Sequence, residues 1–421
     1  MTTGTQGGKN SILTIFFTVF LDLLGVTLII PILAPLLIDS NDLLGPEYSY
    51  EFRTRIMGFL IAVFSVCQFI SSPFLGSLSD KYGRKPVLFF SLFITFFGYL
   101  IFAAGVIYNQ LVLLFLGRAL SGIAAGNISV IYSAIADVSN HEEKAKNFGV
   151  VGIAFGLGFI IGPVLGGLLA DPELVSWFSF VTPFFFAALL VCINLILVWF
   201  NFPETLPEPN KEAKVSLGAG FQNSAKAFKH PELRNIFLVV FLFTFGFAFF
   251  TQFFQVFLIK KFTYDQSDIG LLFGFIGINI ALTQGILVRL LSKRFTPAQV
   301  TVVSMLMLVF AFIILLIPDT SLGLYMVIPG VALSQGLASP NLSAIISNSV
   351  SADKQGETLG MQQSMQSLAQ AVPPIISGYA ISFALEFPIW MAAISTFAAW
   401  GFLMVIYRAV RKKEQKVLQE N

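Results

Sequence analysis

The sequence is poor in the residues that do chemistry or meet water. Its 421 residues include two histidines and two cysteines, and Asp, Glu, Lys and Arg together make up only 11%. His141 and His230 stand in polar stretches between apolar runs, where a solvated loop is their expected place, and no H-E-x-x-H pair gathers acids and histidines for a catalytic metal. No metal site, cofactor or enzymatic activity is expected. A G-x-x-x-x-G-K-[ST] phosphate loop is missing, which argues against ATP as an energy source. Cys67 and Cys192 lie inside apolar runs and are read as buried, inert thiols. A net charge of +2, with no basic stretch interleaved with aromatics, excludes nucleic acid as a partner.

Apolar residues fill the space that charge leaves. They make up 56% of the chain, including 47 Phe, alongside 34 Gly. Mean hydropathy is +0.81. A soluble core-and-surface partition does not fit this, whereas helices crossing a hydrocarbon layer of about 30 Å do. Division at charged and Pro/Gly/Asn clusters gives segments near 12–37, 55–78, 87–107, 110–136, 147–170 and 178–201, then 235–259, 268–290, 297–317, 322–349, 357–383 and 387–408. The predicted fold is an all-α membrane protein with twelve transmembrane helices in two pseudo-symmetric six-helix bundles, residues 1–201 and 235–408. The polar stretch 202–234 joins them as a cytoplasmic linker with a short surface helix around Phe221 to Phe228, and 409–421 forms a basic cytoplasmic tail. The first apolar run is too long for a cleaved signal peptide and is expected to be retained.

Orientation follows from the basic residues. With the N-terminus inside, Lys81, Arg84, Lys85, Lys211, Lys214, Arg289, Lys293, Arg294, Lys354 and the basic tail all face the cytoplasm, while only Arg53, Arg55, Lys260 and Lys261 fall outside. Both termini are therefore expected to be cytoplasmic. The halves also match each other in order: Val19–Gly25 with Val240–Gly246, Gly76-x-Leu78 before Arg84-Lys85 with Gly285-x-Leu287 before Lys293-Arg294, and Gly162-Pro163-x-x-x-Gly167 with Pro373-Pro374-x-x-x-Gly378.

Three motifs carry mechanism. Gly76-Ser-Leu-Ser-Asp80-Lys81-Tyr-Gly83-Arg84-Lys85-Pro86 makes a tight turn between helices two and three, with an acid and bases able to form a charge lock at the membrane face. Arg118 in helix four and Asp22 in helix one are the only ionisable residues deep inside a segment, and counting inward from opposite ends puts them at similar depth. They are expected to pair or exchange protons. Helix five carries Gly158-x-x-x-Gly162-Pro163-x-x-Gly166-Gly167, a pattern for close helix contact with a proline bend.

The first of these motifs resembles the G-x-L-x-D-R-x-G-R-K signature of the major facilitator superfamily, with Lys81 in place of the usual Arg, and the third looks like that of its drug/proton antiporters. The resemblance spans nearly the whole chain and is closest to the tetracycline-efflux type, through Phe20-Leu-Asp22-Leu-Leu-Gly25 with Pro31, Ile135-Ala-Asp137 through Phe148-Gly149, and Gln355-Gly356-Glu357 with Leu359-Gly360. It implies a drug-resistance type of efflux protein in a bacterial inner membrane that exports a small, mostly apolar solute against protons by alternating access. It further implies that Asp22 is a candidate proton or cation site, Arg118 its tuning partner, and Asp80 and Arg84 a gate lock. Tetracycline exporters carry an acid before an aromatic in the third helix. Here Gly98 precedes Tyr99, which argues against tetracycline as the solute.

In the second half, Gln362, Gln366 and Gln370 form a polar stripe on helix eleven, with Gln335 and Asn341 on helix ten, and are the candidate solute contacts. Phe250, Phe253, Phe254 and Phe273 would line the apolar side of that cavity or face lipid. A single chain is expected to suffice. A sugar or metabolite carrier, a lipid flippase, and a non-transporting membrane receptor or enzyme remain open as alternatives.

Overall fold

The computed structural model describes residues 4–40, 43–139, 144–206, 208–209, 218–229, 233–350 and 355–420. His141, His230, Lys211, Lys214 and Lys354 lie outside the described residues. The first half comprises α1 (Gly4–Thr27), α2 (Tyr50–Tyr82), α3 (Arg84–Ile107), α4 (Leu111–Ala124), α5 (Ile128–Val138), α6 (Lys144–Leu169) and α7 (Thr182–Asn201). The linker contributes α8 (Ala219–Lys229), where the short surface helix was expected. The second half comprises α9 (Arg234–Phe262), α10 (Gln266–Leu282), α11 (Val288–Leu291), α12 (Pro297–Ile314), α13 (Ser321–Asn348), α14 (Gln355–Ala371), α15 (Pro373–Ala380) and α16 (Phe387–Glu420).

Among the described residues, ten helices are long and apolar enough to cross a membrane, taking α4 with α5 and α10 with α11 as single spans. The predicted first and eleventh segments are each broken near prolines. Helix one stops at Thr27, because Pro31 has no N–H to continue the ladder and disfavours helical geometry at Ile30; the chain resumes as a wide π-helical turn over Pro35–Asp39. Segment eleven is rich in Gln and Ser and is interrupted at Val372 ahead of Pro373-Pro374, which separates α14 from α15.

Within the first bundle, α1 packs on α6 and α7, α2 on α4, and α3 on α4 and α7; within the second, α9 packs on α14 and α16, α12 on α13 and α16, and α10 on α13. Two seams join the bundles, α6 against α10 and α2 against α14 and α15. Glycines make both seams possible. A Cβ at Gly270 would lie 2.5 Å from the Pro163 carbonyl oxygen, and one at Gly378 would lie 2.7 Å from that of Thr54. Thr54 Oγ1 also donates to the Gly378 carbonyl at 2.9 Å, and Ser267 Oγ donates to Asp171 at 2.7 Å. These contacts gather at the end of the molecule away from the α2–α3 turn. There Arg55 lies over the Tyr379 ring at 4.8 Å and Lys260 over that of Tyr50 at 5.0 Å.

At that same end the guanidinium of Arg53, only 5% exposed, donates to the carbonyl oxygens of Leu37, Ser40, Leu44, Gly45 and Tyr48. It gathers the α1–α2 connection around itself. Arg53→Met would strip partners from several carbonyls, each costing about 1–3 kcal/mol when buried and unmet. A clear drop in the thermal unfolding midpoint of the detergent-solubilised protein is expected, and an unchanged midpoint would deny Arg53 this role.

The phenylalanines singled out in the sequence neither line a cavity nor face lipid. Phe250, Phe253, Phe254 and Phe273 are at most 1% exposed, with Phe250 and Phe254 rings 4.5 Å apart and Phe312 beside Phe250 at 5.2 Å. They form the interior of the second bundle. Their large apolar area is taken up by contacts among themselves.

Candidate ion-coupling site and gate

Asp22 lies on α1 with Asn127 opposite: Asn127 Nδ2 donates to Asp22 Oδ2 at 2.9 Å. Asn127 is 1% exposed and ends a three-residue 3₁₀ turn, Ala125–Asn127, that interrupts the predicted fourth helix between α4 and α5. The interruption sits where Gly126 meets α2. A Cβ at Gly126 would lie 2.5 Å from Ser71 Oγ, so only glycine permits this approach. Within one turn of Asp22, Gly25 leaves room for Tyr99, whose hydroxyl would be 2.9 Å from a Cβ at that position. The Tyr99 hydroxyl is buried without a hydrogen-bond partner and lies within electrostatic reach of both Asp22 and Arg118.

The expected Asp22–Arg118 ion pair is not among the ion pairs of the described residues, which involve Arg55, Arg84 and Lys261. Arg118, 8% exposed, instead donates from Nε to the Leu60 carbonyl at 3.4 Å and stacks over Phe64 at 4.4 Å. Equal depth did not mean contact. A side-chain amide satisfies the acid, while a carbonyl and a ring face take the base.

At the α2–α3 turn the charge lock is assembled. Gly83 adopts φ 99°, a value that side chains resist, and this turns the chain sharply into α3. Arg84 then bonds Asp80, Ser79 Oγ at 2.7 Å and Asp137 of α5 at 2.9 Å, while Gly76 packs on Ser129. Lys85 Nζ donates to the Trp199 carbonyl at 2.8 Å. Glu204, which the sequence places in the linker, completes the lock. Its carboxylate accepts the backbone N–H groups of Arg84 at 2.8 Å and Lys85 at 3.1 Å, an anion on the N-terminus of α3. Thr205 Oγ1 reaches Asp137 at 3.3 Å. Glu204→Ala is expected to cost about 1–2 kcal/mol, the worth of a charged helix cap. Thermal unfolding measures it, and a variant as stable as the parent would show that the cap is idle.

The Gly-Pro motif serves two neighbours. Gly158 and Gly162 face α1 at Leu23 and Thr27, and Gly166 faces Leu28 just beyond its end; Thr27 Oγ1 donates to the Gly158 carbonyl at 2.9 Å. Pro163 and Gly167 face α10 instead.

The candidate solute residues divide. Asn341 spends its amide on the Leu337 carbonyl of its own helix at 2.8 Å, and Gln362 donates to Ser343 Oγ of α13 at 2.8 Å. The Gln335 amide oxygen is buried without a partner, Gln366 is half-buried, and Gln370 offers its backbone carbonyl to Gln252 at 3.3 Å. Gln255 accepts the Ala34 N–H at 3.2 Å across the two halves. Sequence reasoning passed over Asn127, Glu204, Gln252 and Gln255. Asn127 did leave a signal, a polar residue after Ala-Ala-Gly in an apolar run.

Comparison with known proteins agrees with this architecture. The chain is 30% identical over 381 residues to the class C tetracycline resistance protein of Escherichia coli, covering 87% of this chain and 89% of that one. It is 28% identical over 394 residues to the quinolone resistance protein NorA of Staphylococcus aureus, covering 91% and 93%. Its fold matches the crystal structure of the human organic anion transporter MFSD10 with a TM-score of 0.70 at 23% identity, covering 94% and 99% of the two chains. Residues 15–374, from α1 through α14, match the Major Facilitator Superfamily, and the chain belongs to that family of membrane transporters.

Proposed function

We propose that this transporter exports a small, mostly apolar solute or drug in exchange for protons, by alternating access, in a bacterial inner membrane. The observation that carries this reading is the Asp22 carboxylate deep in the first bundle, held by Asn127 with Tyr99 near it. An acid at that depth is costly to keep unless it works, and a proton is the simplest cargo it can take and release. Resistance proteins against tetracycline and quinolones among the relatives support a drug-like solute. Gly98 closes the α3–α4 crossing, where a Cβ would come 2.6 Å from Ser121 Oγ; an acidic side chain has no room there, and tetracycline is left out of the proposal.

With the α2–α3 turn on the cytoplasmic side, as the basic residues suggest, the end sealed by the glycine seams is the external one. The two bundles, 1–201 and 235–408, rock about a central cavity, and Gln335, Gln366 and Gln370 offer polar contacts to the solute. The test is solute movement driven by a pH gradient in proteoliposomes, parent beside Asp22→Asn, with solutes found by a growth screen in an efflux-deficient host. Undiminished coupled transport in the variant would remove Asp22 from the mechanism.

A further inference from the structure

Asp22 and the Arg84 lock are described above as separate sites, yet one short helix touches both. Asn127, the donor to Asp22, immediately precedes α5, and Asp137, the acceptor for Arg84, lies one residue before its end. The eleven residues of α5 form a stiff rod between them, and the 3₁₀ turn Ala125–Asn127 at its near end is the point where the fourth span bends most easily. Along the way Ser129 Oγ donates to the Ser72 carbonyl of α2, and the same Ser129 packs on Gly76 of the gate motif.

We propose that Asn127 is the positioning residue that carries the charge state of Asp22 into the gate through α5. This rests on the reading of Asp22 as the proton site. The ionised carboxylate accepts the Asn127 N–H. A proton placed on Oδ2 makes that atom a donor and a poorer acceptor, which weakens its bond to Asn127 and favours a turn of the amide or its release. Either motion is made at the 3₁₀ turn and tilts α5, moving Asp137 against Arg84 and Thr205. Of the other ionisable groups, Tyr99 of α3 lies within electrostatic reach of Asp22 and of Arg118 of α4. Tyr132 and Asp137 belong to α5 itself, and the described side chains of α6 and α7 include no acidic or basic group.

The experiment measures the distance between spin labels at Tyr82→Cys on α2 and Ala136→Cys on α5, in full-length protein with Cys67 and Cys192 replaced by serine, reconstituted at acidic and alkaline pH. The parent is expected to show a pH-dependent shift on the order of 2 Å, typical of helix displacements in switching proteins. Asp22→Asn should abolish it, and so should Asn127→Leu. Asn127→Ala, smaller and without a donor, carries the test if the leucine variant fails to fold. A merely structural Asn127 would change the distance equally at both pH values and leave the shift intact. If the shift survives in the Asn127 variants but not in Asp22→Asn, the role of Asn127 is overturned and Asp22 stands. If it survives in Asp22→Asn, or is missing from the parent, the reading of Asp22 falls as well.

Discussion

Asp22→Asn is expected to lower solute transport driven by a pH gradient by roughly 5- to 150-fold, the span of typical coupling free energies between two sites. The substitution removes one charge and keeps the shape. Asn still accepts from the Asn127 amide through its carbonyl oxygen, so the contact seen at 2.9 Å has a replacement and the bundle should fold normally. The ability to hold and release a proton is lost. Downhill solute exchange, which needs only the rocking motion, is expected to persist, and that combination separates a coupling defect from a folding defect. Loss of both activities together would indicate a structural acid. Full coupled flux would exclude Asp22.

A comparable loss is expected from Gly58→Val, through a different cause. A Cβ at Gly58 runs into the backbone carbonyl of Pro374 across the α2–α15 seam, and backbone cannot step aside as a flexible side chain can. Overpacking of this kind costs about 1–3 kcal/mol. That cost falls only on the conformation in which the seam is closed, so the population of this state should drop roughly 5- to 150-fold, and flux with it, since every cycle passes through closure. A cysteine at Ser377, a fully buried position on α15, reports the change. In a background without Cys67 and Cys192 it should resist alkylation in the parent and react in Gly58→Val. Gly401→Val serves as the control, since no neighbouring atom lies within 4 Å of a Cβ there, and its flux should match the parent. Equal flux in both variants would mean that the seam does not gate transport.

The apolar runs made most of the fold legible, because a span needs length and hydropathy and both are written locally. The α2–α3 turn was legible for a similar reason: Asp80, Gly83 and Arg84 act on one another within a few residues. The partner of Asp22 was not. Counting residues gives depth along the membrane normal but not direction around a helix, so Arg118 looked suitable while Asn127, 105 residues away in sequence, made the bond. Glu204 was hidden by its setting in a polar linker, where nothing marks a carboxylate that folds back onto a helix end. Nor does composition separate a phenylalanine that fills a bundle from one that meets lipid: Phe254 is 0% exposed and Phe200 is 75% exposed.

The bond from the Ala34 N–H to Gln255 spans the two halves at the place where α1 has already lost its regular ladder. When the halves separate, the Ala34 amide and the Gln255 side-chain oxygen each lose this partner, and in an apolar interior water is what can replace it. Opening of the sealed end should therefore draw water molecules into the gap as it proceeds. Osmotic stress then becomes a control on the cycle: solutes such as sucrose, excluded from protein surfaces, favour the drier conformation and should slow turnover without touching Asp22 or the cargo.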